Sequence, residues 1–440
     1  MPTTHIYLIL AAFAAYFLCA GTSMHDRILL YTLHRIERGS IYEPAEQSLF
    51  EGAMTGLLAS AGDAYSMYIP PDDAGDYEDE LNNRYGGIGI NFFTGGSPKN
   101  PVVAYPVMGS PAADAGIQSG DTILEINGTS TDNKSFADIS GLITSAADQP
   151  VGLTVLHFGE PESVKINVSA GIVQRDSVEG AYRDAGGHRV YRLETMPEIG
   201  YIRINSFAET TDSETVFALE TILPDTADTA AVKALILDLR DNPGGFVHTA
   251  VAVARMFVEP TPQQNVIVTE KYRSGVKERL TLQAGEAFCR LPMSVIINGE
   301  TASAAEILAA ALQDYHRAKI VGSRSFGKGI VQQVVELPFD SGIVQFTAAR
   351  YYRPSGQNIH RFPEAGDSDV WGVMPDAEVA LSGDEVRSVM QWRDQCSNAV
   401  TKKRSEVLAE FRSRLKHSGT PPFYDPQLVK AVELLRQPND

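Results

Sequence analysis

Two stretches of this chain, residues 234–245 and 293–303, each run from a continuous apolar strand through a tight turn into a helix. A strand with no polar alternation fits a sheet covered on both faces, which fixes the class of residues 171–380 as α/β. The first run ends in Asp238-Leu239-Arg240-Asp241-Asn242-Pro243-Gly244-Gly245 and predicts a helix to about Val258. Two glycines at such a turn let backbone amides point into a cleft, as an oxyanion hole requires. A plain bend at a helix entry explains Gly244-Gly245 equally well. A strand at 199–204 and an amphipathic helix at 213–223 complete the pattern.

The second run ends in Asn298-Gly299-Glu300-Thr301-Ala302-Ser303, and Ser303 opens an Ala-rich helix. A helix N-terminus favours negative charge developing on a hydroxyl. Lys328 lies 25 positions on, between Gly327 and Gly329, and Gln332 follows it by four. A lysine desolvated enough to be neutral can take a serine proton without histidine. Simpler readings compete at each position. Ser303-Ala304-Ala305-Glu306 is also an S-x-x-E capping box, and Gly-Lys-Gly is ordinary loop chemistry. Two separate turns with reactive-looking residues favour the chemical reading.

Composition sets the bounds. At 440 residues the chain should hold two or three domains, and a 43% hydrophobic, 21% charged makeup is that of a globular protein. The net charge is 37 − 55 = −18, which argues against nucleic acid as a partner. Residues 6–20 form an apolar run that fits a signal-peptide core better than a spanning helix, although the leader has no Lys or Arg. Export is the expectation, with residues 1–22 a signal peptide or a retained membrane anchor. A buried helix is the alternative. Of three cysteines, Cys19 lies in the leader. Export would permit a Cys289–Cys396 disulfide, but two separate buried thiols suffice. No Cys/His cluster has metal-ligand spacing, so no metal or cofactor is expected.

Residues 23–83 read as helical, with an acidic linker at 72–80 after Pro70-Pro71. From Tyr85 the period changes to strands and glycine turns. The series Gly86-Gly87-Ile88-Gly89-Ile90, a capped Ser110–Gly116 turn of helix, a strand at 122–126 and an Asn127-Gly128 hairpin resembles a PDZ domain over 84–170. The amides of a Gly86-Gly87-Ile88 turn could hold a carboxylate, and the strand through Ile90 could pair with an extended peptide. After residue 380 two helices flank Pro421-Pro422. One carries Val407, Leu408, Phe411 and Leu415; the other has Asp425 as cap, Pro426 in its first turn, and Leu428, Val432 and Leu435 on one face. Dimer contact and burial against the chain's own core are both open for them.

Together with G-Y-I-R-I-N-S-F, L-I-L-D-L-R-D-N-P-G-G, N-G-E-T-A-S-A-A-E, S-F-G-K-G-I-V-Q-Q and A-R-Y-Y-R-P-S-G-Q, the PDZ-like module resembles the C-terminal processing (tail-specific) protease family. The match covers roughly 84–380, in the family's order. The resemblance implies a crotonase-like serine protease core with an inserted β-rich PDZ domain and helical N- and C-terminal segments. The expected divisions are 1–22, 23–83, 84–170, 171–380 and 381–440. By that resemblance Ser303 is the nucleophile, Lys328 the general base and Gln332 the group that orients it. Gly244 or Gly245 with Ala304 would form the oxyanion hole, and Asp314 and Glu306 would support the site. Gly86, Gly87, Ile88 and Ile90 would bind a substrate's C-terminus. The implied product is an exported endopeptidase, periplasmic or anchored facing the periplasm, without cofactor, acting on protein or peptide substrates and able to form homo-oligomers through its terminal helices. Two other readings stand beside it. A coenzyme-A hydratase or isomerase would use the same paired amides but would not need Ser303, Lys328 or the PDZ module. A catalytically latent PDZ scaffold would keep the module and lose the chemistry.

Overall fold

A computed structural model describes residues 23–93, 100–107, 109–118, 120–144, 149–157, 159–184, 188–194, 196–223, 231–275, 277–386, 389 and 425–436. The leader, Cys396 and the helix expected around 407–415 lie outside the described residues. The chain divides into two compact units, one of residues up to Gly75 with 332–347, the other of 76–331 with residues from Ala348 onward.

In the first unit a helix, Met24–Gly39, starts at a capping box in which Ser23 and Asp26 exchange hydrogen bonds of 2.6 and 3.2 Å. A second helix, Glu46–Ala59, follows. The strand Met67–Ile69 pairs antiparallel with residues 343–345. The Tyr68 hydroxyl donates to the Ser341 carbonyl at 2.7 Å, fixing that register. The acidic stretch expected as a linker is instead a helix, Pro71–Leu81. Pro71 suits a first helical position, and Asp72 and Asp73 in the first turn complement the helix dipole, signals that an apolar period cannot register. Among the described residues no helix is long and apolar enough to cross a membrane.

The second unit holds a β-rich module and an α/β core. In the module a sheet runs Ile90–Phe93, Val102–Pro106, Thr122–Ile126, Val151–Leu156, Ser163–Val168, with Ile90–Phe93 at its edge. Asn127 and Gly128 take positive φ of 50° and 75°, as the hairpin there needs. Ser110 caps the short helix Pro111–Asp114 by accepting from the Ala113 N–H. A further helix, Phe136–Thr144, buries Ile139 and Ile143 in the module's own core.

The core sheet is built on four parallel strands: Met196–Ile204, Ala234–Asp238, Met293–Ile297 and Ala318–Gly322. Alternate side chains go to opposite faces. Leu235, Leu237, Val295, Ile297 and Ile320 face the helices Thr211–Ile222, Val247–Phe257 and Ala304–Asp314. Tyr201, Ile236, Ile296 and Val321 face the final helix, Pro426–Arg436, through its Ala431 and Val432. Both faces are dry, which accounts for the unbroken apolar runs. The apolar face of the final helix is therefore spent on this chain's own sheet. Its docking is pinned by charge: Arg240, 1% exposed, reaches Asp238 (2.6 Å), Asp425 (2.8 Å) and Gln427 (3.0 Å), and Tyr201 donates to Asp238 at 2.7 Å. Asp425 also caps the helix by accepting from Leu428 N–H.

Candidate active site

The two strand–turn–helix units meet at their turns. Asp241, at φ 61°, donates its N–H to Asn298 Oδ1 (3.0 Å), and Asn298 Nδ2 returns a bond to Asp241 Oδ1 (2.6 Å). Thr301 donates its hydroxyl to the Leu239 carbonyl, and Ala302 N–H donates to the Asn242 carbonyl. Asn242 is fully buried and binds the Ile204 carbonyl. These bonds lay residues 242–245 against residues 302–304.

The approach explains both glycines. A Cβ on Gly244, φ 103°, would stand 2.7 Å from Ser303 Cβ, and one on Gly245, φ 134°, would stand 2.3 Å from the Phe207 carbonyl. Only glycine fits either position. The structure also separates their roles. The Gly244 N–H is held by Asn242 Oδ1 at 2.8 Å, whereas no partner within the described residues takes the Gly245 or Ala304 N–H. Gly245 and Ala304 are thus the two amides available to an oxyanion.

Ser303 sits at φ 56°, ψ −121°, a conformation that a non-glycine residue holds only when its surroundings impose it. A simple capping residue is extended. Glu306 does reach back to the Ser303 N–H (2.9 Å), as a capping box would, but it is committed further. Its carboxylate also accepts from Ser325 Oγ (2.6 Å), Gly327 N (2.8 Å) and Lys328 N (2.8 Å). One buried carboxylate thereby ties the lysine loop to the serine helix. Burial pushes this carboxyl up to about 7, against the pull of the four donors. Gly327 and Gly329 are not casual loop glycines. Cβ atoms there would stand 2.9 Å from Arg361 Cβ and 2.4 Å from His360 N.

Other expected residues fall elsewhere. Asp314 grips Arg353 at 2.6 Å and accepts from the Ser355 N–H, tying the end of the serine helix to the turn after the strand Ile343–Tyr352. Gln332 donates to the Tyr65 carbonyl at 2.6 Å in the first unit, which Gln345 also reaches. Gly86 and Gly87 form no turn: they lie in the strand Arg84–Gly87, paired with residues 171–172 of Gly171–Gln174. Ile88 is 2% exposed, a core side chain, leaving half-buried Ile90 on the edge strand as the accessible member of that set. Cys289 is a buried free thiol, raised by that burial. Sequence reading missed Tyr351. Its hydroxyl lies 3.3 Å from Ser303 Oγ and donates to the Lys328 carbonyl. Nothing local in A-R-Y-Y-R marks it, since the contact spans 48 residues.

Comparison with known proteins gives the same picture. Residues 198–379 match the model of peptidase family S41, and residues 102–156 match that of a PDZ domain. A carboxy-terminal-processing protease of Bartonella bacilliformis is 30% identical over 91% of this chain and 86% of its own length. A carboxyl-terminal-processing protease of Synechocystis sp. is 30% identical over 74% of this chain and 70% of its own. The solved photosystem II D1 C-terminal processing protease is 25% identical over 82% of this chain and 94% of its own, with a TM-score of 0.45. With a PDZ-type module, an S41-type core and relatives aligned over most of its length, the chain belongs to the C-terminal processing protease family.

Proposed function

We propose that the chain is an exported serine endopeptidase in which Ser303 is the nucleophile and Lys328 the base, acting on proteins chosen by their C-termini. A crotonase-like core is part of this reading. One observation carries it: Ser303 stands in a strained turn beside two uncommitted amides, with the backbone of Lys328 tied to the same helix through Glu306. Ser303 gives its proton to the Lys328 amine as Oγ bonds to the scissile carbonyl carbon. The resulting oxyanion rests on the Gly245 and Ala304 N–H groups. The amine leaves with the proton from Lys328, and water then hydrolyses the acyl-enzyme with Lys328 again as base. Edge strand Ile90–Phe93 supports peptide capture by strand addition.

The coenzyme-A reading would use the same two amides, but it leaves the strained serine without a purpose. The deciding experiment incubates the protein with an unfolded polypeptide and maps cuts by mass spectrometry. Ser303→Ala and Lys328→Ala are each expected to abolish cleavage while the fold survives, and the double variant should be scarcely worse than either single. Lys328→Arg should also be inactive, since a guanidinium does not give up its proton. Turnover by Lys328→Ala at neutral pH would show a different base.

A further inference from the structure

Tyr351 is the residue on which the two halves of the site converge. It is 1% exposed, with its ring in the main core. Its N–H donates to the Gly329 carbonyl at 3.2 Å and its hydroxyl to the Lys328 carbonyl, so it holds the lysine segment at two consecutive residues. The Asn358 side chain in turn donates to the Tyr351 carbonyl at 2.8 Å. The same hydroxyl lies 3.3 Å from Ser303 Oγ. A phenol has one proton and a carbonyl can only accept, so the Tyr351 proton is directed to Lys328 O. The lone pairs of Oη then face Ser303, whose own hydroxyl is the donor of that second bond. A phenylalanine would fill the same space, so packing alone does not explain the hydroxyl.

We propose that Tyr351 is a further catalytic residue: its oxygen accepts from the Ser303 hydroxyl and holds Oγ in the position from which it attacks. This rests on the reading of Ser303 as nucleophile. Tyr351 gains and loses no proton in the reaction. When Oγ becomes the acyl oxygen it has no hydrogen to donate, so the contact serves the free enzyme and acylation. It does not serve hydrolysis of the acyl-enzyme. That asymmetry separates it from a residue that merely shapes the lysine loop, because Lys328 is needed in both steps.

The test uses the full chain and a chromogenic ester that shows an acylation burst. Tyr351→Phe is expected to slow the burst about tenfold, the loss of one hydrogen bond to a reacting atom. The deacylation rate should stay within twofold of wild type, and labelling of Ser303 by a fluorophosphonate should slow by the burst's factor. Equal slowing of both steps, or wild-type rates throughout in a folded variant, overturns the proposal. Should Tyr351→Phe fail to fold, 4-aminophenylalanine at 351 keeps a donor for the Lys328 carbonyl while turning an N–H toward Ser303. It should show the same selective slowing, and wild-type acylation in it is equally fatal. Ser303→Ala and Lys328→Ala run alongside. If either still turns over, the serine–lysine reading fails and takes this one with it. If both are inactive while Tyr351→Phe is unimpaired, only the role of Tyr351 falls.

Discussion

At Glu306 four donors converge on a carboxylate that has no exposure to water. Ionised, it can accept all four; protonated, it offers a donor to a ring of donors. Its folded value of about 7 lies above its ordinary 4.5. Its contribution to stability is therefore fully present below about pH 4.5 and fades as pH rises through about 7. Ionisation costs stability and tightens the lysine loop. Activity should accordingly rise through this window while the urea midpoint falls. Glu306→Gln keeps the shape but turns an NH₂ toward backbone N–H groups. It should flatten the pH dependence of the urea midpoint between about 4.5 and 7 and lower kcat by about tenfold or more. An unchanged kcat would remove Glu306 from the site. Much of this was legible in the sequence, because Ser303, Glu306, Gly244 and Gly245 occupy fixed offsets within single turns. Tyr351 was not, since only the folded sheet brings it to Ser303.

Elements were readable where their signals are local. Continuous apolar runs, a Ser-Pro cap at 110–111 and an Asn-Gly hairpin all appear where the residues demanded them. Pairing partners were not, since nothing near Gly86 and Gly87 announces a strand some 85 residues away. The same limit hid the link from Arg240 to Asp425, 185 positions apart. Here burial lowers and the two aspartates more strongly raise the guanidinium's affinity for its proton, holding it well above its usual range. Asp425→Ala leaves a buried cation short of one partner and should cost about 3–5 kcal/mol in urea unfolding. Replacing Asp425 together with Arg240 (Asp425→Leu, Arg240→Met) should cost less than the sum of the singles, because the pair is removed as a unit. Additive losses would mean that the two act independently.

For the molecule as a whole, the PDZ-type module poses the question of whether it only tethers substrate or also sets the enzyme's rate. Under tethering, a short peptide without a C-terminal signal is cut at one rate whether or not a separate tail peptide is present. Under gating, the tail peptide added in trans changes that rate. Gating is the expected outcome, and an unaltered rate at saturating tail peptide would leave tethering. Substrates that differ only in C-terminal amidation should bind and be cleaved unequally, whereas equal behaviour would rule out carboxylate recognition. The buried Arg240–Asp425 clamp adds a constraint of timing. The turn that presents Gly245 is braced by residues 425–427, which are among the last to leave the ribosome. A copy still being synthesised lacks that brace, and a copy trimmed past Asp425 loses it. For an enzyme that works on the tails of other proteins, an intact tail of its own then serves as proof of completion.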